Sequence, residues 1–188
     1  GHDVFNPGGG IDLIVGNDTS SDEDDLVSYH TAGSGIVVRP TDNKQIIFVS
    51  NDGHGDYDVL ISVPNIFGSA HADTIDGGAA NNMLWGGAGD DTLSGGAGLD
   101  ILVGGTGNDS FSGGDGSDVI IAGQGSDIAT GGSGTDTFKL GGAAGSLTLA
   151  GTLTIQDFET GSGGDVLDLS EYLNLIGYEG SNAVGDSV

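Results

Sequence analysis

The chain has 188 residues, of which 39 are glycine, and its 28 acidic residues outnumber three basic ones for a formal net charge of −25. With no basic patch to release counterions from phosphates, this balance excludes nucleic acid and anionic membranes as electrostatic partners. The natural partners of such a surface are cations.

Two interpretations fit this composition. A glycine-rich, acidic chain with 6% aromatic residues is typical of disordered linkers. Alternatively, the acidic side chains bind metal ions, which supply the missing positive charge. Cysteine is absent, so disulfides and thiolate metal sites are excluded. No apolar stretch is long enough to cross a membrane, and the first residues are not expected to form a cleavable signal peptide. Periodicity has to decide between the two interpretations.

Short strands are predicted in the first 67 residues, wherever an aspartate is followed by an apolar residue two positions later. This pattern begins at Asp3, Asp12, Asp25 and Asp58. The segment PGGGIDLIV, residues 7–15, is itself a near-perfect copy of the nine-residue repeat that occupies residues 68–139. Residues 36–39 and 46–50 are expected to form a hairpin around residues 40–44. The acidic run at residues 18–25 either binds an ion or forms a solvated loop.

An unbroken nine-residue repeat occupies residues 68–139. It reads GSAHADTID, GGAANNMLW, GGAGDDTLS, GGAGLDILV, GGTGNDSFS, GGDGSDVII, AGQGSDIAT and GGSGTDTFK. The sixth position is Asp in every copy except one, which has Asn82, and the eighth position is always apolar. Such regularity does not arise by chance, and it favours the metal-binding interpretation. A disordered chain remains the better description of the metal-free state.

The repeats match the pattern GGxGxDxUx, where U is apolar, and resemble the RTX (hemolysin-type calcium-binding) family. The resemblance implies an all-β fold, a right-handed parallel β-roll in which two repeats form one coil, so that residues 18 apart lie above one another. Glycines permit the positive φ angles of the tight turns, and the last three residues form a short strand with its middle side chain inside. Aspartates 18 apart would share Ca²⁺, a hard cation that takes six to eight oxygen ligands. Ion binding would therefore supply folding energy.

The resemblance also implies a ligand set. One coil contributes the carbonyls of positions 2 and 4 with its aspartate, and the next contributes the carbonyls of positions 1 and 3 with its own aspartate. The four regular sites are Gly87, Gly89, Asp91 with Gly104, Thr106, Asp109; Gly96, Gly98, Asp100 with Gly113, Asp115, Asp118; Gly105, Gly107, Asp109 with Ala122, Gln124, Asp127; and Gly114, Gly116, Asp118 with Gly131, Ser133, Asp136. Asp73, Gly86 and Ala88 extend this set, and about six to eight Ca²⁺ ions are expected.

The first two repeats depart from the pattern. Ala80 replaces a glycine and Asn82 removes a charge, so a site that pairs Asn82 with Asp100 is expected to be weak or empty. Ser69 and His71 make the first repeat irregular, and His71 is expected to contribute its carbonyl rather than its ring.

The flanks resemble other parts of RTX proteins. Residues 1–67 look like the degenerate β region that precedes regular repeats. Residues 154–173, TIQDFETGSGGDVLDLSEYL, resemble the segment that closes the roll in type I-secreted proteins, which makes 140–188 a capping segment. Asp157, Asp165 and Asp168 are candidate ligands there, with a polar turn between two strands as the alternative. A short helix is predicted from Ser170. The secretion signal is expected to lie beyond residue 188.

One outer face of the roll is predicted to be apolar. Its residues, called the apolar stripe here, are Met83, Trp85, Ile101, Val103, Val119 and Ile121. The stripe is either covered by this chain, through residues 147–155 or the terminal helix, or it binds a partner.

No catalytic motif accompanies the repeats, since H-E-x-x-H, G-x-S-x-G, G-x-G-x-x-G and a P-loop are all missing. The resemblance implies a non-catalytic module of a giant bacterial surface adhesin, which folds on extracellular Ca²⁺ after export by a type I machinery. The expected partners are calcium ions, that machinery and neighbouring domains of the same polypeptide. A monomer is expected, with no nucleic acid and no direct membrane insertion. The alternative is an accessory roll of a secreted protease or lipase whose catalytic domain lies elsewhere.

Overall fold

The computed structural model describes residues 3–8, 11–16, 25–40, 46–50, 57–61, 63–141 and 151–170. Its strands, in chain order, are β1 (Val4–Phe5), β2 (Leu13–Val15), β3 (Leu26–Ser28), β4 (Val37–Pro40), β5 (Ile46–Ser50), β6 (Tyr57–Ile61), β7 (Asn65–Phe67), β8 (Thr74–Gly78), β9 (Met83–Ala88), β10 (Thr92–Ala97), β11 (Ile101–Thr106), β12 (Ser110–Asp115), β13 (Val119–Gln124), β14 (Ser126–Ser133), β15 (Thr137–Lys139), β16 (Thr152–Ile155) and β17 (Val166–Asp168).

Within these residues the strands form two sheets. The first sheet has the order β1-β3-β7-β9-β11-β13-β15-β17, and the second has the order β16-β14-β12-β10-β8-β4-β5-β6-β2. From β7 to β17 successive strands alternate between the sheets, and each pairs in parallel with the strand two further along. The predicted parallel β-roll is therefore confirmed.

The register of the strands equals two repeats. Leu93 pairs with Phe111 in the second sheet, and Leu102 pairs with Ile120 in the first. The side chains at the eighth position all point into the space between the sheets and are at most 3% exposed. They are Ile75, Leu84, Leu93, Leu102, Phe111, Ile120, Ala129 and Phe138. Only about one residue in nine of the repeat region enters this core, so the core is thin and other interactions must help to hold the coils together.

The second sheet contains an insertion near its N-terminal end. β4 and β5 pair antiparallel, with Val37 opposite Ser50, which confirms the predicted hairpin. β6 pairs antiparallel with β5 and parallel with β2. β5 and β6 therefore separate β2 from β4 in the second sheet, while β1 and β3 remain direct neighbours in the first. The hairpin loop at residues 41–45 and the acidic residues 18–24 lie outside the described residues.

The apolar stripe lies on the outer face of the first sheet, as predicted. Met83 is 46% exposed, whereas Val103 is only 6% exposed. Phe67 on β7 extends the stripe, because its ring stacks on Trp85 with a centroid distance of 4.9 Å. The expectation that residues 147–155 cover the stripe is wrong for the part that the structure describes. Residues 152–155 form β16, which pairs with β14 in the opposite sheet. Ser170 is helical, and the rest of the predicted terminal helix lies outside the described residues.

Glycines at the second and fourth repeat positions adopt positive φ where successive coils touch. Gly105 has φ +111°, and a Cβ there would overlap the carbonyl oxygen of Gly87 in the preceding coil. We expect Gly105→Ala to destabilise the calcium-loaded protein by at least about 2 kcal/mol, since backbone strain alone costs about 1–3 kcal/mol. Chemical denaturation in excess calcium measures the change. Gly8→Ala is the control, because no atom lies within 4 Å of a Cβ at Gly8. Equal stability of the two variants would contradict the close packing of the coils.

No helix among the described residues is long and apolar enough to span a membrane.

Candidate metal centre

The aspartates at the sixth repeat position are buried, although their charge favours water. Each is at most 2% exposed, and Asn82 is 4% exposed. Asp73, Asp91 and Asp109 precede strands of the second sheet, and Asp127 is the second residue of β14 in that sheet. Asn82, Asp100, Asp118 and Asp136 precede strands of the first sheet. They therefore form two ladders, one on each edge of the roll. A buried carboxylate is costly unless it is paired, so the partners of these groups matter.

One oxygen of each carboxylate is bonded to the preceding coil. The backbone N–H of Asp91 donates to Asp109 Oδ1 at 2.9 Å, and that of Asp100 donates to Asp118 Oδ1 at 2.9 Å. The same bond joins residues 73 and 91, 82 and 100, 109 and 127, and 118 and 136. Each aspartate thus uses Oδ1 to fix its place in the ladder.

In five of the seven ladder aspartates the other oxygen is left without a partner. Asp91, Asp100, Asp109, Asp118 and Asp136 each bury Oδ2 with no hydrogen bond, and Asn82 does the same with Oδ1. An unsatisfied buried polar atom costs about 1–3 kcal/mol, and more when it is charged. Aligned columns of such oxygens also repel one another. The missing partner must therefore be positive, and the arrangement fits a hard cation such as Ca²⁺.

The predicted carbonyls converge on these free oxygens. A Cβ built on Gly86 would overlap Asp91 Oδ2 and lie 2.9 Å from the carbonyl oxygen of Gly104, so the two oxygens flank one point. In the same way, an aspartate Oδ2 and a carbonyl oxygen of the next coil flank one point in three further pairs, which are Asp100 with Gly113, Asp109 with Ala122 and Asp118 with Gly131. The carbonyl at position 1 of each coil thus faces the aspartate of the coil before it, as the ligand pattern requires.

The remaining carbonyls also have the orientations that the pattern requires. At positions 2 and 4 they point to the next coil: the oxygens of Gly87 and Gly89 lie against Gly105 and Gly107. Those of Gly96, Gly98, Gly105, Gly107, Gly114 and Gly116 lie against the glycines 18 residues later. At position 3 they point back, since Thr106 accepts a bond from the N–H of Gly89 at 2.8 Å. Asp115, Gln124 and Ser133 accept equivalent bonds.

Asp73 differs from the other aspartates because protein donors serve both of its oxygens. Its Oδ2 accepts from the Ser69 N–H at 2.6 Å, and its Oδ1 accepts from the Ile36 N–H at 2.7 Å and from Ser69 Oγ at 2.8 Å. Gly86 presents its carbonyl close to Asp73, and the Ala88 N–H donates to the Ser69 carbonyl at 3.3 Å. The free carboxylate oxygens thus begin one coil later, at Asp91.

The His71 carbonyl lies against Gly89 in the next coil, the orientation of a position 4 carbonyl, while the residue as a whole is exposed.

Aspartates of the degenerate region repeat the ladder bond at longer spacings. The Asp3 N–H donates to Asp25 Oδ1 at 3.1 Å, and the Asp12 N–H donates to Asp58 Oδ1 at 3.0 Å. Asp58 also accepts from the Tyr29 hydroxyl at 2.9 Å through Oδ2. The aspartate pattern at the strand starts marked Asp25 and Asp58, whereas nothing in the local sequence indicated the role of Tyr29.

The closing segment continues one ladder, because Asp165 follows Asp136, whereas Leu153 rather than an aspartate lies opposite Asp127. Asp165 accepts from the Asp136 N–H at 3.0 Å, in the position that the next ladder aspartate would occupy. Asp157 accepts from the N–H groups of Gly131 and Gly132 at 2.9 and 2.8 Å. Asp168 lies elsewhere, in an ion pair with Lys139 at 3.4 Å. Its hydrogen bonds with the side chain and backbone of Ser170 lower the pKa of Asp168, and Lys139 lowers this pKa further.

No three side chains of His, Cys, Asp or Glu converge within the described part of the chain. A metal ion there would therefore depend on backbone carbonyls for much of its ligand shell.

Burial raises the pKa values of the ladder carboxyls in the metal-free protein. The pKa of Asp91 rises to about 7, chiefly through desolvation and with a further contribution from the like charges of Asp73 and Asp109. Desolvation likewise raises the pKa of Asp100 and of Asp109 to about 6. These raised values show how unfavourable the ionised ladder is without a counterion.

These shifts predict the pH dependence of the metal-free chain. A carboxyl with a raised folded pKa stabilises the fold below its unfolded pKa of about 3.9, and this stability is lost as pH rises through 6 to 7. In EDTA we therefore expect more strand signal by circular dichroism at pH 5 than at pH 8. With saturating calcium the trend should reverse, because protons compete with the ion for the carboxylates. A metal-free chain that gains structure as pH rises would contradict this prediction.

Comparison with known proteins identifies the repeats. Residues 67–102, 94–129 and 103–138 match the family described as RTX calcium-binding nonapeptide repeat (4 copies). Residues 67–138 therefore consist of RTX calcium-binding repeats, which imply a calcium-binding structural module. No curated protein matches the chain significantly.

Proposed function

We propose that calcium ions bind between successive coils along both edges of the roll and that the coils fold only when these ions are present. The observation that carries this proposal is the set of buried Oδ2 atoms without a hydrogen-bond partner, which belong to Asp91, Asp100, Asp109, Asp118 and Asp136. Each free oxygen faces a position 1 carbonyl of the next coil in the four regular sites. A bound ion would supply the positive charge that these oxygens lack.

The ligands of the regular sites are those of the repeat pattern, with oxygen atoms contributed by two coils. Asp91, Asp100, Asp109 and Asp118 provide the free oxygens that face forward. Asp165 closes the ladder of Asp136, and Asp157 is a further ligand at the C-terminal end, beside Gly131 and Gly132. The number of ions is six to eight in this proposal. Asp73 is the weakest member of the set, because Ser69 and Ile36 already satisfy its carboxylate.

The module works outside the cell in this proposal. Proteins with RTX repeats are typically secreted, and extracellular calcium sites have dissociation constants of about 10⁻⁴–10⁻³ M. The chain would leave the cell unfolded through a type I machinery and fold where calcium is abundant. The closing segment at residues 154–173 supports a place near the C-terminus of a large bacterial surface adhesin. There residues 68–139 form the regular roll, residues 1–67 its degenerate N-terminal part and residues 140–188 its cap.

Titration of the metal-free chain with CaCl₂ in a calorimeter tests the calcium proposal. We expect several ions per chain, with a concurrent gain of strand signal by circular dichroism. MgCl₂ is the matched control, because Mg²⁺ demands octahedral geometry at shorter distances and retains its waters. Binding of no ion, or equal binding of both ions without a change in structure, would refute the proposal.

The sequence of the whole protein tests the adhesin assignment. Long tandem extender domains upstream of the roll support it. A catalytic domain upstream, such as one with H-E-x-x-H or G-x-S-x-G, would replace it with an accessory role in a secreted enzyme.

A further inference from the structure

Asn82 occupies the one ladder position where the preceding coil has no N–H to offer. The register of β7 and β9 places Asn65 opposite Met83, so the residue opposite Asn82 is Pro64. At the later ladder positions, each aspartate accepts a hydrogen bond from the backbone N–H of the residue 18 positions before it. For example, the Asn82 N–H donates to Asp100 Oδ1 at 2.7 Å. Proline lacks this donor. A carboxylate at position 82 would thus meet a carbonyl oxygen instead of an N–H group.

The asparagine amide fits this environment. Asn82 Nδ2 donates to the carbonyl oxygen of Pro64 at 2.7 Å, and the bond is buried. The neighbouring N–H of Met83 is also satisfied, since it donates to Asn65 Oδ1 at 3.0 Å. These contacts orient the amide, with its nitrogen toward Pro64 and its oxygen toward the coil of Asp100.

The amide oxygen lies where the free oxygens of the aspartates lie. A Cβ built on Gly77 would overlap Asn82 Oδ1 and lie 2.9 Å from the carbonyl oxygen of Gly95. A Cβ built on Gly95 has the same relation to Asp100 Oδ2 and to the carbonyl oxygen of Gly113, which lies at 2.8 Å. Asn82 Oδ1 is buried and has no hydrogen-bond partner. It is therefore a free ligand atom in the ladder geometry.

The carbonyls around Asn82 are also in place. The oxygens of Gly78 and Ala80 lie against Gly96 and Gly98 in the next coil, the same orientation that the regular sites show at positions 2 and 4. Ala80 therefore presents its carbonyl as a glycine would, and its replacement of glycine does not remove a ligand.

We propose that Asn82 is a calcium ligand and that Pro64 is its positioning residue. The site comprises Asn82 Oδ1, the carboxylate of Asp100 and the carbonyls of Gly78, Ala80, Gly95 and Ala97. This site carries one negative charge fewer than the regular sites. Because the affinity of a site for Ca²⁺ decreases when it has fewer charged ligands, this site fills last. The ladder ends here, because the amide nitrogen occupies the side toward Pro64. This inference rests on the calcium proposal above. Of the two outcomes expected from the sequence, a weak site or an empty one, it favours a weak site that is occupied.

A crystal of the unmodified chain grown with calcium, analysed by anomalous scattering, tests the site directly. We expect a calcium peak between Asn82 Oδ1 and the Asp100 carboxylate, as well as peaks at the sites from Asp91 to Asp136. Peaks at the regular sites but none beside Asn82 would overturn this inference alone. No peak at any site would overturn the calcium proposal.

Ion counting on variants gives a second readout. Asn82→Ala should bind one ion fewer than the unmodified chain. Asn81→Ala, which removes the exposed asparagine next to it, should bind the full number. An unchanged count in folded Asn82→Ala would show that Asn82 only pairs with Pro64.

The role of Pro64 is tested in a double variant. Asn82→Asp should lower the thermal midpoint of the calcium-loaded protein by about 2–4 °C, because its carboxylate faces the Pro64 carbonyl. Adding Pro64→Ala restores an N–H donor at that place and should recover the midpoint. If Asn82→Asp alone raises the midpoint, Pro64 does not position residue 82.

Discussion

Removal of calcium with excess EDTA should unfold the repeat coils. The buried carboxylates from Asp91 to Asp136 then lose the charge that offsets their desolvation and mutual repulsion, and the thin core cannot compensate for it. We expect the strand signal in circular dichroism to fall. The radius of gyration from X-ray scattering should rise toward about 46 Å, the value for an unfolded chain of 188 residues.

Restoring calcium is the control for this experiment, because a reversible transition separates ion loss from aggregation or damage. The recovery should require millimolar calcium if the sites are of the extracellular type. A chain whose strand signal and radius are the same with EDTA and with calcium would show that the ions do not hold the coils together.

The variant Asp109→Ala should have one of the largest effects among single ladder substitutions. Asp109 belongs to two proposed sites, one shared with Asp91 and one with Asp127, and its Oδ1 accepts the Asp91 N–H. At a calcium concentration ten times the dissociation constant, each site contributes about 1.4 kcal/mol. The lost hydrogen bond adds about 1 kcal/mol. We therefore expect a loss of about 4 kcal/mol in calcium-loaded stability.

Asp115→Ala is the matched control for charge. Asp115 is exposed, and only its backbone carbonyl, which the variant keeps, belongs to a proposed site. The free energy of unfolding of Asp115→Ala should differ from that of the unmodified chain by about 0.5 kcal/mol or less. Calorimetry should also show two ions fewer for Asp109→Ala and the full number for Asp115→Ala. Similar losses in both variants would mean that overall charge, rather than the ladder, governs stability.

The parts of the fold that depend on one repeat could be predicted from the sequence. The inward side chain of Leu102, the sheet to which it belongs and its pairing with Ile120 all follow from the nine-residue pattern and its 18-residue register. The two ladders followed for the same reason, since aspartates at a fixed position in every repeat must align when the strands do. The hairpin of β4 and β5 was predicted because its strands are adjacent in sequence.

Features that depend on distant partners were not predictable. The position of β6 between β5 and β2 joins segments that are more than 40 residues apart. The orientation of Asn82 depends on Pro64, which is unremarkable in sequence until the register places the two residues opposite each other. The protection of Asp73 by Ser69 likewise required the geometry of an irregular repeat, in which a hydroxyl stands where the pattern has glycine.

The insertion of β5 and β6 makes the two sheets unequal beside β1 and β2. These two strands add about 10 Å to the second sheet and nothing to the first, given a strand spacing of about 4.8 Å. β2 therefore lies about two strand spacings further from the regular coils than β1 does. A level pair of strands could not extend both sheets here at once, so the stacking that joins the later coils cannot simply be repeated on β1 and β2.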